Sequence, residues 1–107
     1  MEMGFKINQG KGFQITFDNG LTLSTQFGSG NYCDNQLGST SDPLVAVQKH
    51  ESYKSKTAEI AVMNGAGDWK TRETMILAGL DEPCDDVVGW VSVADWAKLV
   101  WVLAEEG

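Results

Sequence analysis

The stretch Gly12-Phe13-Gln14-Ile15-Thr16-Phe17-Asp18-Asn19-Gly20-Leu21-Thr22-Leu23-Ser24-Thr25-Gln26-Phe27 decides the fold. Alternating apolar residues on both sides of Asp-Asn-Gly read as two strands joined by a tight turn. A two-residue Asn19-Gly20 loop sets Phe17 against Thr22 and Ile15 against Ser24, which mixes apolar and polar groups on each face. A three-residue Asp18-Asn19-Gly20 loop instead sets Phe17 against Leu21, Ile15 against Leu23 and Phe13 against Thr25. It gathers the apolar set on one face and leaves Gly20 at the left-handed position of a bulge. The three-residue loop is therefore expected, and with it an antiparallel sheet whose apolar face needs a cover.

That cover is at the other end of the chain. Ser92-Val93-Ala94-Asp95 has the form of a capping box with Asp in the usual Glu or Gln place, and Val91 with Trp96 has the spacing of a hydrophobic staple. From Val93 to Ala104 every residue except Asp95 and Lys98 is apolar. The apolar arc of this helix spans roughly 220°, far wider than the stripe of an ordinary surface helix. One small sheet covers only part of such an arc. Trp101 and Val102 lie on its margins and are expected to stay exposed, and the last turn, ending in Glu105 and Glu106, is expected to fray. Exposed apolar residues of this kind mark interaction surfaces, and the simplest closed solution is a two-fold homodimer, helix against helix; the alternative is a larger sheet of six short strands that wraps the helix completely.

Between the two ends, residues 28–44 are rich in Gly, Ser, Asn and Asp and read as a long loop closing at Pro43. A short strand is expected over Leu44–Gln48, a polar turn over His50–Lys56 and a strand over Thr57–Met63. Asn64-Gly65-Ala66-Gly67-Asp68 is a turn leading to an expected strand at Trp69–Arg72. An acidic loop over 79–86 contains Pro83 and precedes a short strand at Val87–Val91. The fold class is α+β: a mainly antiparallel β-sheet, built from the N-terminal hairpin and further short strands, with one C-terminal α-helix packed on it. The 107 residues fit a single domain, 1–107.

Charge is unevenly placed. Fifteen acids and eight bases give a net charge of −7, and residues 81–107 hold seven of those acids with one base, Lys98. The C-terminal quarter thus carries nearly all the excess, which repels phosphate backbones and argues against direct nucleic-acid binding. No apolar run reaches the ~20 residues of a membrane span, and no secretory signal opens the chain. A reducing cytoplasm is the expected compartment, with Cys33 and Cys84 as thiols, although pairing through the fold stays open. Their spacing fits no zinc pattern.

Few residues offer chemistry. His50, the single histidine, sits between Lys49 and Glu51 and reads as a solvated side chain; a Cys33–His50 pair is the sharper alternative. Asp81, Glu82, Asp85 and Asp86 place four carboxylates in six residues. The spacing is not that of an EF-hand, so the readings are a solvated loop, a weak cation site, or a patch that docks on a basic protein. Gly28-Ser29-Gly30-Asn31-Tyr32 lacks the lysine or helix of a phosphate loop. The glycines serve the chain's exit from the hairpin, with a small-ligand pocket of Gly28, Gly30, Asn31, Tyr32 and Trp69 as the alternative. No catalytic residue, metal or cofactor is expected.

Gly12-Phe13-Gln14, Thr16-Phe17, Asn19-Gly20 and Gln26-Phe27-Gly28-Ser29-Gly30-Asn31-Tyr32-Cys33 resemble small accessory proteins of bacteriophages and prophages. The Ala58-Glu59-Ile60-Ala61 segment up to Gly65, and Gly89-Trp90-Val91-Ser92, are similar to the same family. The resemblance implies a setting, the cytoplasm of a bacterial host, and no site residue. The expected function is a non-enzymatic protein that binds and inhibits or modulates a bacterial host protein, with an anti-CRISPR-like or other counter-defence role foremost. The alternatives are a small-molecule or nucleotide sponge and a minor structural or assembly protein. Partner binding falls to Asp81, Glu82, Asp85, Asp86, Trp101 and Val102.

Overall fold

The computed structural model describes residues 3–7, 12–27, 33 and 55–105. Among them, β1 (Gly4–Ile7), β2 (Gly12–Thr16), β3 (Thr22–Gln26), β4 (Thr57–Met63) and β5 (Val87–Ser92) form one antiparallel sheet in the order β1-β2-β3-β4-β5. Two helices, α1 (Thr71–Leu77) and α2 (Val93–Glu105), complete an α+β architecture with α2 packed on the sheet. The expected strand at Leu44–Gln48 lies outside the described residues, as does most of the expected turn before Thr57.

The β2–β3 hairpin has the three-residue register. Phe13 pairs with Thr25 and Ile15 with Leu23. The Phe17 N–H donates to the Leu21 carbonyl at 2.9 Å, and the Gly20 N–H to the Phe17 carbonyl at 3.0 Å. Gly20 has φ +87°, the left-handed conformation the bulge demands. At the far end of β2, a Cβ on Gly12 would collide with the Thr25 carbonyl oxygen, so this strand accepts only glycine there.

Register then fixes the two faces. Phe13, Ile15, Leu23, Thr25, Ile60 and Val62 fall on one side, and Gln14, Thr16, Ser24, Gln26 and Glu59 on the other. On the polar side the Thr16 and Thr22 hydroxyls are 2.9 Å apart, and Gln26 Nε2 donates to Ser24 Oγ at 3.2 Å. On the apolar side Leu23, Ile60, Val62, Met75, Val91, Leu99 and Leu103 form the core. Trp96 rests on Phe13 edge to face, with centroids 6.2 Å apart, and its Nε1–H donates to Thr25 Oγ1 at 2.8 Å. The indole is buried on its apolar side and its one donor is satisfied. β1 runs out beyond the helix cover, so Phe5 and Ile7 share the apolar face yet remain 83% and 81% exposed.

Helix α2 begins where the cap predicts: the Asp95 N–H donates to Ser92 Oγ at 3.2 Å. It runs to Glu105. Asn19 of the hairpin turn reaches across to it, donating from Nδ2 to the Leu103 carbonyl at 2.8 Å. A side chain chosen for turn geometry thus also satisfies one of the last carbonyls of the helix.

The expected strand at Trp69–Arg72 is corrected. Only Trp69 keeps a strand-like partner, a single bridge to Met63, and the chain then enters α1. Thr71, inside that expected strand, is β-branched and suits one, but its hydroxyl and that of Thr74 are both used by the helix and its junction instead. Thr74 Oγ1 donates to the Lys70 carbonyl at 2.8 Å, and Thr71 Oγ1 donates to the Asp86 carbonyl at 2.6 Å. The helix stops in a Schellman arrangement. Gly79, at φ +77°, donates to the Ile76 carbonyl, and Leu80 donates to the Met75 carbonyl, each at 3.0 Å. Met75 and Leu80 then meet in the core, the apolar contact that usually accompanies this motif.

Candidate partner-binding surface

The acidic loop leaves α1 at Gly79 and enters β5 at Val87. Asp81, Glu82 and Asp85 are exposed and Asp86 is half-buried. Its course is held by two residues of α1. Arg72 Nη2 donates to the Cys84 carbonyl at 2.9 Å while its Nε lies 3.8 Å from Asp86 Oδ1. Thr71 grips the Asp86 carbonyl and accepts the Val62 N–H at 2.9 Å, so one buried hydroxyl ties loop, helix and β4 together. Three of the four carboxylates are therefore exposed on a loop whose Cys84–Asp86 end is held by hydrogen bonds, and the fourth faces Arg72. Among the described residues, no group of three or more His, Cys, Asp or Glu side chains is placed to hold a metal ion.

Next to this loop in sequence lies a groove between the helices. It has a volume of about 380 Å³ and is lined by Leu77, Ala78, Ala97, Lys98, Trp101 and Val102. Trp101 is 67% exposed, as expected, and Leu77 60% and Ile76 53%. The expected exposure of Val102 is corrected: it is 7% exposed. The reason is α1, which the sequence reading took for a strand. Its Leu77 and Ala78 lie over the margin of α2 that a sheet alone leaves bare.

Of the alternative ligand pocket, the structure describes Trp69 alone. Gly28, Gly30, Asn31 and Tyr32 lie outside the described residues. Trp69 bridges to Met63 at one end of β4, whereas Phe27, where that loop departs, lies beside Ala58 at the other. A different cavity, of about 220 Å³, lies at the Ala58 end between Phe13, Phe27, Val91 and Trp96, with Ser55, Lys56 and Ser92 also lining it. The sequence signal for it was present in the aromatic positions 13, 27 and 96, but their convergence depends on β3 pairing with β4 across a long insertion.

No disulfide joins Cys33, which is buried, to Cys84, which is exposed. His50 lies outside the described residues. No described helix is long and apolar enough to cross a membrane. In comparisons with known proteins, no family model, no curated protein and no solved structure matches the chain.

Proposed function

We propose that this chain is a non-enzymatic binding protein that docks its acidic loop on a basic surface of a host protein and blocks it, as a phage accessory protein acting against a host defence factor would. The observation that carries this reading is the clamped loop. Arg72 and Thr71 hold the Cys84 and Asp86 carbonyls on either side of Asp85, and Asp81 and Glu82 lie exposed just before this anchored end of the loop. Preordering lowers the entropy lost on association, and a concentrated negative field steers a basic partner toward it. Affinity capture from bacterial lysate tests it, with wild type beside a variant carrying Asp81→Asn, Glu82→Gln and Asp85→Asn. A protein held by wild type, lost by the triple variant and released by salt is expected. A partner held equally by both would overturn the docking role of the loop.

The aromatic cavity at Phe13, Phe27 and Trp96 supports a second reading, a carrier of a small flat molecule, with Lys56 in the lining suited to an anionic group. An ultraviolet-absorbing compound released when the purified protein is denatured selects that reading instead.

A further inference from the structure

The outward side of α2 is the least usual surface of this molecule. A helix packed on a sheet by one side carries polar residues on the other. Here Ala94, Ala97, Trp101 and Ala104 are all exposed and follow one another at intervals of three, four and three. On a helix that spacing makes a single stripe about 80° wide, opposite Leu99 and Leu103. Only Lys98 and Glu105 flank it with charge, on one side.

From this we propose that the stripe is the interface of a two-fold homodimer in which α2 packs antiparallel against α2 of a second copy. The pattern of sizes selects this occupant. A two-fold axis passing beside Leu99 sets Trp101 of each copy against Ala97 of the other, and Ala94 against Ala104. Every large residue meets a small one, and small residues let the helix backbones approach. The groove beside Ala97 that receives the indole is already open, about 380 Å³ between Leu77 and Lys98. Charge agrees in the same register. Lys98 falls beside the incoming indole, a favourable position for a cation at an aromatic face. Glu105 falls near the N-terminal end of the opposite helix, and the antiparallel helix dipoles oppose each other.

Area sets the strength. Standard stable interfaces bury about 800 Å² per partner, and the stripe with Leu77 and Ile76 offers roughly half of that. The dimer is therefore expected in the micromolar range. It goes beyond the docking proposal and stands apart from it: no residue of the acidic loop lines the groove, and each dimer carries two such loops.

Sedimentation equilibrium over a micromolar concentration series tests the dimer without any partner. Wild type is expected to move toward twice the monomer mass as concentration rises. Trp101→Ala is expected to weaken association at least about 30-fold, the loss typical of a central aromatic anchor. Ala97→Glu is expected to abolish it. Both positions are exposed, so circular dichroism should show both variants folded. Phe5→Ser, on the exposed edge strand β1, is the control and is expected to stay dimeric. A wild type that is monomeric throughout, or a Trp101→Ala variant that dimerises as wild type does, overturns the proposal. So does loss of the dimer in Phe5→Ser alone.

Discussion

Gly20 shows how far a single position was legible. Its place in the turn followed from pairing arithmetic in residues 13–25, and its φ of +87° is what that arithmetic required. No atom lies within 4 Å of a Cβ built there, so the position is limited by backbone conformation alone. Gly20→Val is accordingly expected to lower stability by about 1–2 kcal/mol in urea melts, the cost of a β-branched residue at positive φ. A variant as stable as wild type would show that the turn had relaxed to another register. Trp90 was not legible. It too has positive φ, +51°, and with Gly89 it occupies a bulge in β5 opposite Glu59. Gly89 inside the strand is the local mark of such a bulge, but a glycine alone does not say that the residue after it takes the positive φ.

At the scale of elements, the hairpin, β4, β5 and α2 were readable because each carries its own period and its own punctuation. Helix α1 was not. Seven residues give too few turns for an apolar period to show, and its two buried threonines suit a strand equally well. The signal that would have found it is the stop, Gly79 followed by Leu80, five residues after Thr74. Strand β1 was missed for a related reason: four residues, paired only along one side, carry little pattern. The junction between α1, β4 and the acidic loop depends on the Thr71 hydroxyl. Thr71→Val keeps the shape but leaves the buried Val62 N–H without its acceptor and the Asp86 carbonyl without its donor. A loss of about 2–3 kcal/mol is expected in urea melts, with faster hydrogen exchange at the Val62 amide. An unchanged melt would mean that the junction does not hold the loop.

For the whole molecule, sequence gave the sign and location of the charge, and structure determined what that charge sits beside. The excess acid of residues 81–107 divides between a clamped loop and the flanks of α2. Trp101 was picked out by the width of the apolar arc alone. The Ala94–Ala97–Trp101–Ala104 stripe became visible only once α1 was seen to cover Val102, because that cover shows which side of the arc is left bare. An account in which the chain works by presenting surfaces rests most heavily on that side of α2. The most direct measurement is ¹⁹F NMR of protein labelled with 5-fluorotryptophan, recorded over a concentration series. The chain has four tryptophans, and the Trp101 resonance is assigned by its absence in Trp101→Phe. The account predicts that the Trp101 signal moves with concentration and loses its solvent isotope shift, while those of Trp69 and Trp90 stay in place. A Trp101 signal unchanged across the series, or movement confined to Trp69 or Trp90, would contradict it.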